Sequence, residues 1–291
     1  MIPQVASMSG NELYPLTLEP IPAEQFHDRS GRPWPAGEVP EFSLGTLWLA
    51  ADASRVAAGP QAGRGLGYLR HLWGTDLAGL NAGDAPDMPL PVDLKLKNTG
   101  EASQTLVLTD YSLWYILDAA EESFIRAGFR PGSAEFGADP SFWPELMPEF
   151  EVEAGRCLWL PQSAPLILGP GLTLAQFGPA ARPVRSLPDA MDEPHPPVWL
   201  TPAIVGPGES VVFQDQRLTV RLISTAHWSG LTAPEALTFL WPLAGQGRIL
   251  TQGPAPTTRL TPGRAVLLPA ALGRYAVESA GKVSYLLIES R

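Results

Sequence analysis

The sequence predicts a mainly β protein with two similar domains, and three observations support this prediction. Proline (32 residues) and glycine (28 residues) make up about a fifth of the chain, which disfavours long helices. Short apolar segments alternate with turn residues at a spacing of roughly 8–12 residues, as in β-sandwiches and β-barrels. Residues 152–168 and 260–277 share one order of features: a polar strand end, Gly-Arg, an apolar strand, a proline and a further strand. This repeat predicts two domains of one type.

The first part of the chain predicts an arm, a strand and a short helix. Residues 1–40 are polar and interrupted by proline, which favours an arm or an edge segment. Residues 43–51 predict a strand. Residues 62–79 carry apolar side chains at helical spacing, namely Leu66, Leu69, Leu72 and Trp73. We therefore expect a short helix there, and its glycines lack the Lys-Ser/Thr pair of a phosphate-binding loop.

The segment 89–182 predicts strands separated by turns. VDLKLKN, QTLVLTD and LWYIL are short, rich in Leu, Val and aromatic residues, and bounded by turn residues. Residues 139–150 predict a short helix with Asp139 as its N-cap and Pro140 at its first position. The segment that follows reads as four more strands with Gly and Pro turns between them.

Residues 183–197 are rich in proline and acidic residues and are the best candidate for a linker. The strand-and-turn pattern then resumes and continues to the end of the chain. The predicted domains are therefore residues 1–190, which include the helical segment, and residues 197–291.

Composition excludes several functional classes. Hydrophobic residues make up 45% of the chain, enough for a packed core, and the formal net charge is −10. An acidic chain lacks the basic face that binds nucleic acid or anionic membranes, so we expect neither partner. The single cysteine, Cys157, rules out an internal disulfide. No signal peptide or membrane-spanning run is evident, so the expected location is the cytoplasm.

Five segments resemble, in order, the short bacterial form of the type I mannose-6-phosphate isomerase family, which belongs to the cupin superfamily. SLWYILDAAEESFIRAGFRPG is similar to the family's TEMWYVLDAEPGAKIYLGFKPG, and VEAGRCLWLPQSAPLILGPGLTLAQF is similar to VKKGDVFFIPAGTVHAIGPGILLAEI. The others are YPLTLEPIPAEQF, SRVAAGPQAGRGLGYLRHLWGTDLAG and LLPAALGRYAVES. The resemblance implies tandem cupin jelly-roll barrels (double-stranded β-helices) with a short helical segment in the N-terminal half. It also implies aldose–ketose isomerisation of a sugar phosphate.

The family's zinc ligands are replaced in this chain. The family holds zinc with a Gln, a Glu and two His in its first barrel, but no histidine occurs here between residues 72 and 194. The resemblance places one family His at Leu106 or Leu108, depending on a two-residue offset, and Gln104 matches the family Gln with the first choice. Ser112 replaces the Glu and Leu166 the other His. Leucine offers no donor atom, so we expect no zinc and no other metal cofactor.

The candidates for substrate binding are Gln104, Lys95 and Arg185. The resemblance places the family's catalytic arginine near Arg185 or Arg182, although a solvated linker arginine is the more ordinary interpretation. Lys95 and Lys97 share one strand face, and we expect them outside the barrel because burying two cations is costly. Leu166 and at least one of the two leucines at the first His position are expected to pack together inside it.

The other reactive side chains favour structural interpretations. Four histidines are expected at the surface or in packing rather than in a site: His27, His71, His195 and His227. Cys157 lies within an apolar strand and is expected to be a buried, inert thiol. The nine tryptophans fit core packing better than a sugar-stacking groove.

Three functional hypotheses follow. The first is a non-catalytic, metal-free homologue of the isomerases that binds a sugar phosphate or another small metabolite. The second is an active isomerase with a relocated or metal-free site, and the third is a structural or interaction scaffold. The sequence leaves a homo-oligomer open.

Overall fold

The computed structural model describes most of the chain in ten stretches: residues 13–22, 46–51, 53–78, 93–107, 111–130, 140–160, 164–178, 197–231, 236–252 and 257–290. The chain forms two compact units that interleave in sequence. The central unit comprises Ile21–Ala53 and Leu90–Pro202. The terminal unit comprises Met1–Pro20, Ser54–Pro89 and Ala203–Arg291, so it takes residues from both ends of the chain.

These units differ from the predicted domains 1–190 and 197–291. Leu16 is paired with Leu267 of the C-terminal region, and the amide of Leu18 donates to the carbonyl of Ala265 at 2.9 Å. The amide of Ala270 likewise donates to the carbonyl of Leu77 at 3.1 Å. The backbone hydrogen bonds of two N-terminal segments are thus satisfied by the C-terminal barrel, which local sequence patterns do not reveal.

The central unit consists of two antiparallel sheets. The strands are β2 (Ile21–Pro22), β3 (Thr46–Ala50), β4 (Asp93–Asn98), β5 (Gln104–Val107), β6 (Ser112–Ala119), β7 (Phe124–Ala127), β8 (Glu149–Glu151), β9 (Cys157–Leu160), β10 (Pro165–Leu168), β11 (Leu172–Gly178) and β12 (Val198–Leu200). The larger sheet has the order β12-β9-β6-β11-β4-β3-β2, and the smaller has the order β5-β10-β7-β8. We call this pair of sheets the central barrel.

The terminal unit repeats this arrangement. Its strands are β1 (Leu16–Thr17), β13 (Ala203–Gly206), β14 (Glu209–Gln214), β15 (Leu218–Thr225), β16 (Trp228–Leu231), β17 (Leu237–Ala244), β18 (Gly247–Thr251), β19 (Thr258–Leu260), β20 (Val266–Leu268), β21 (Tyr275–Ser279) and β22 (Val283–Ser290). The sheet orders are β1-β20-β17-β22-β15-β14-β13 and β16-β21-β18-β19. We call this pair the terminal barrel.

The two barrels match strand for strand. The seven-stranded and four-stranded sheets have the same order in both, with β6, β11 and β4 corresponding to β17, β22 and β15. The two repeated segments, 152–168 and 260–277, end up in corresponding strands. The predicted fold class of tandem jelly-roll barrels is confirmed.

The described helices are short, as the proline and glycine content predicts. Leu66–Trp73 forms α1, which buries Leu66, Leu69 and Trp73 and ends at Gly74 with φ near +49°. Thr75–Ala78 then forms α2, so the helix predicted over 62–79 is divided in two. In the segment predicted as a helix over 139–150, a 3₁₀ turn at Pro140–Phe142 is followed by α3 (Trp143–Leu146). In the part of the chain that the structure describes, no helix has the length and hydropathy needed to cross a membrane.

Candidate functional site in the central barrel

The inner face of the central barrel is defined by one cluster of buried apolar side chains. Both sheets contribute to it: Leu106, Trp114, Ile116, Ile125, Ala127, Val152, Leu158, Leu160, Leu166, Leu168, Leu172 and Leu174. Because residues opposite each other in paired strands share a face, the registers of β4, β5, β6, β10 and β11 show which other side chains point inward.

Leu106 and Leu166 lie on this inner face and directly oppose each other in the β5–β10 pair. Their side chains are 6% and 0% exposed and belong to the same core cluster. The prediction that Leu166 packs with one of the two candidate leucines is therefore confirmed for Leu106. Leu108 lies outside the described residues.

Gln104 and Ser112 also face the interior, where both are buried. Gln104 is opposite Leu168, and its Nε2 donates to the backbone carbonyl of Asn98 at 3.4 Å. Ser112 is opposite Leu160, and its hydroxyl accepts a hydrogen bond from the indole N–H of Trp114 at 2.8 Å. Ser112 therefore helps to orient a core tryptophan.

The two lysines of β4 also lie on the inner face, so the expectation that they lie outside the barrel is wrong. Lys97 is opposite Leu174, and Lys95 is opposite Gln176, which in turn is opposite Trp114. Lys97 is 1% exposed, and its ammonium donates to the Thr46 hydroxyl at 3.2 Å.

Neighbouring groups reduce the free-energy cost of burying the two lysines. The ammonium of the half-buried Lys95 lies 3.9 Å from the centroid of the Trp48 ring, a cation–π distance. Asp93, on the same strand face, is buried and opposes the lowering of the Lys95 pKa. A hydroxyl, an aromatic ring and a carboxylate thus accompany the two amines.

Burial brings the pKa of the Lys97 amine close to neutral pH. Desolvation, reinforced by the charge of Lys95, lowers the pKa of Lys97 to about 7. Desolvation also lowers the pKa of Lys95, and the Asp93 carboxylate offsets part of this change. Near neutral pH the inner wall therefore carries one amine that gains or loses its proton readily.

The residues at the expected zinc positions do not fit zinc. Leu106 and Leu166 have no donor atoms, and Ser112 is engaged with Trp114. Gln104 is the one amide of the expected set, and a single amide oxygen cannot hold a divalent ion against water. Within the described stretches, no group of three or more His, Cys, Asp or Glu side chains is placed to bind a metal ion.

The remaining candidates take structural positions or fall outside the described residues. Cys157 is buried, and burial raises the pKa of its thiol, which fits the expected inert cysteine. His71 and His227 are exposed. The other four candidates lie outside the described residues: His27, Arg182, Arg185 and His195.

Sequence reasoning missed Thr46 and Trp48 as partners of the lysines. Both lie on β3, where Thr46 is opposite Lys97 and Trp48 is opposite Lys95. The alternation of DLKLKN was the available signal, since it places Asp93 and both lysines on one face. The sequence did not reveal that this polar face, rather than the leucine face, points into the barrel.

The fold of this chain is similar to that of several solved mannose-6-phosphate isomerases. Mannose 6-phosphate isomerase from Bacillus subtilis matches with a TM-score of 0.73 and 18% identity, covering 94% of this chain and 99% of that one. A variant of phosphomannose isomerase from Salmonella typhimurium matches with a TM-score of 0.68 and 12% identity, covering 95% and 99%. A zinc-bound mannose 6-phosphate isomerase matches with a TM-score of 0.65 and 11% identity, also covering 95% and 99%.

No protein-family model and no curated protein sequence matches the chain. The likeness is therefore one of fold, and it extends over nearly the whole chain. The central barrel has the architecture of these isomerases, with leucines where the resemblance places two metal-binding histidines.

Proposed function

We propose that this chain is a metal-free, non-catalytic homologue of the mannose-6-phosphate isomerases that binds a sugar phosphate or another small anionic metabolite in its central barrel. The observation that carries the proposal is the combination of side chains that the two sheets of the central barrel direct inward. Leu106 and Leu166 occupy the positions expected for metal ligands and pack against each other. Lys95 and Lys97 face the same interior.

The amines of Lys95 and Lys97 are suited to bind an anion. A phosphate near Lys97 favours the protonated amine and compensates for its burial, as an opposite charge does for any buried cation. Gln104 on the smaller sheet and Gln176 on the larger sheet point into the same interior and offer amide groups to sugar hydroxyls. Arg185, which the resemblance places near the family's catalytic arginine, is a further proposed contact to phosphate.

We do not expect the central barrel to catalyse isomerisation. Aldose–ketose isomerisation develops negative charge on an enediolate, which a divalent ion stabilises by several kcal/mol. Each ~1.4 kcal/mol of lost stabilisation costs about tenfold in rate. Leucine side chains supply none of this stabilisation, so we expect isomerase activity at background.

One observation favours the alternative of an active, metal-free isomerase. With its pKa lowered to about 7, Lys97 is suited to accept a proton at neutral pH, as a general base must. Proton transfer between the two substrate carbons by Lys97, with Lys95 near the developing oxyanion, is the chemistry this alternative requires.

The test combines metal analysis, binding and activity. After dialysis against a chelator, the purified chain should contain less than one metal ion per chain. It should bind mannose 6-phosphate or fructose 6-phosphate in calorimetry, with proton uptake that Lys97→Met abolishes. The exposed Lys282→Met, in the terminal unit, is the matched control and should leave binding unchanged.

A coupled assay for fructose 6-phosphate separates the alternatives. We expect background rates with mannose 6-phosphate, with or without added zinc, cobalt or manganese. Turnover that Lys97→Met or Arg185→Ala abolishes would replace the proposal with the active isomerase. If neither mannose 6-phosphate nor fructose 6-phosphate binds, the result would favour the scaffold hypothesis.

A further inference from the structure

Polar side chains also lie inside the terminal barrel, and they are not part of the candidate site in the central barrel. Tyr275 on β21 is close enough to Tyr285, Glu289 and Arg221 of the other sheet for these groups to change its pKa, so all four side chains face the interior. Arg221 lies on β15, whose neighbours are β14 and β22. Side chains from both sheets therefore converge on one space inside this barrel.

Arg221 forms ion pairs with two carboxylates in this interior. Arg221 Nη1 lies 3.5 Å from Glu209 Oε1, and Arg221 Nη2 lies 3.5 Å from Glu289 Oε2. The three side chains are 34%, 37% and 26% exposed, so solvent reaches them. Ion pairs of this length and exposure are weak and can exchange a partner for a ligand group at small cost.

Two tyrosines line the more deeply buried part. Tyr275 is 5% exposed and Tyr285 is fully buried. Burial raises the pKa of Tyr285 to about 12, with Ser229 opposing the change, and burial also raises the pKa of Tyr275. Both phenols therefore remain neutral, so each can donate or accept a hydrogen bond.

Buried hydroxyls without a partner provide an independent sign that the space takes a ligand. Among the described residues, Thr219 Oγ1, Thr251 Oγ1 and Ser279 Oγ have no hydrogen-bond partner. Thr219 is fully buried and lies opposite Glu289, while Thr251 lies opposite Tyr275. Buried polar groups in native proteins almost always find a partner, so these hydroxyls are available to a ligand or to water.

We propose that the terminal barrel binds a neutral, polyhydroxylated small molecule, such as an unphosphorylated sugar or polyol, between Arg221, Glu209, Glu289 and Tyr275. One arginine and two carboxylates leave a net negative charge, which disfavours a phosphate. Carboxylates accept hydrogen bonds from ligand hydroxyls, the guanidinium donates to them, and the tyrosine rings pack against C–H faces. This combination distinguishes the terminal site from the lysine-lined central wall.

Ligand-observed NMR and calorimetry with D-mannose, D-fructose and D-mannitol test the proposal, with inorganic phosphate as the charged comparison. At least one of the three should bind saturably. Arg221→Met and Glu289→Gln should weaken binding by about tenfold or more, since each removes a charge-assisted hydrogen bond. Tyr275→Phe keeps the ring and removes only the hydroxyl, so it tests the same site if the charge variants fail to fold.

Two controls locate the site. Arg248→Met removes an exposed ion pair with Glu278 on the smaller sheet of the same barrel and should leave binding unchanged. Lys97→Met, in the central barrel, should also leave it unchanged. No saturable binding of any of the three probes would overturn the proposal. Binding that survives Tyr275→Phe and Arg221→Met but is lost in Lys97→Met would overturn it too.

Discussion

Lys97 shows how a single buried residue links stability to pH. Its amine is enclosed by the central barrel and hydrogen-bonded to Thr46. The ordinary lysine pKa of 10.5 is lowered to about 7 in the fold. Between these two values the unfolded chain holds a proton that the folded chain has released, so raising the pH favours folding.

We therefore expect the free energy of unfolding to rise between pH 7 and pH 9. The contribution of Lys97 has a slope that approaches about 1.4 kcal/mol per pH unit. Urea unfolding at several pH values should show a flatter profile for Lys97→Met than for the natural chain. The exposed Lys282→Met should keep the natural slope. Equal slopes in all three proteins would contradict the burial of the amine.

Leu166 supports a second prediction at this scale, because it packs inside the barrel without exposure. Leu166→Ala should lower the free energy of unfolding by about 2–5 kcal/mol through lost burial and a cavity. Ile204→Ala, at a position 84% exposed, should change it by less than about 0.5 kcal/mol. Similar losses in denaturant unfolding would show that Leu166 is not a core residue.

At the scale of elements, Gly208 determines the hairpin between β13 and β14. Its φ is +74°, in the left-handed region, and a Cβ there would lie 2.1 Å from the carbonyl oxygen of Ser224. The amide of Ser224 donates to the carbonyl of Gly208 at 2.6 Å, so the two backbones cannot separate without losing this bond. Glycine is required here both by conformation and by space.

Gly263 provides the matched comparison for a prediction about this hairpin. Its φ is +79°, but a Cβ there would meet nothing within 4 Å. Gly263→Ala should therefore cost only the conformational strain of about 1–2 kcal/mol. Gly208→Ala should cost clearly more, because the steric clash adds to the strain. Thermal and denaturant unfolding of both variants measure the difference, and equal losses would show that the hairpin relaxes freely.

At the scale of the whole molecule, the terminal unit depends on residues from both ends of the chain. Leu16 and Leu18 are fully buried, and Thr258 donates a hydrogen bond to the carbonyl of Pro15 at 3.1 Å. Residues 54–78 supply α1 and α2 to the same unit. A cut at the predicted linker would therefore leave the terminal barrel without an edge strand and without these helices.

We expect a fragment of residues 197–291 to lack a cooperative thermal transition, because it loses the apolar burial and backbone hydrogen bonds of these segments. Circular dichroism and proton NMR measure this directly. Adding residues 13–78 as a separate peptide should restore structure if the lost contacts are the cause. A fragment that melts cooperatively near the temperature of the whole chain would contradict the interleaved units.

Local patterns in the sequence were sufficient to predict the repeated β architecture. The resemblance to the isomerase family, rather than alternation alone, predicted that Leu166 and one of Leu106 and Leu108 point inward. The absence of histidine between residues 72 and 194 predicted that the family's metal-binding histidines are replaced. The strands and turns of this architecture are predicted from residues close together in the chain, through strand periodicity and turn residues.

Tertiary structure alone decided which face of β4 points inward, which segments complete each barrel, and which polar side chains meet in the terminal barrel. Thr46 and Lys97 are 51 positions apart, and Pro15 and Thr258 are 243 apart. Each of these partners lowers the free-energy cost of burying a polar or charged side chain. A local sequence pattern shows the buried group but not its partner. Those partners come together only when distant strands pair, so the inward lysines and the shared arginine could not be predicted from the sequence.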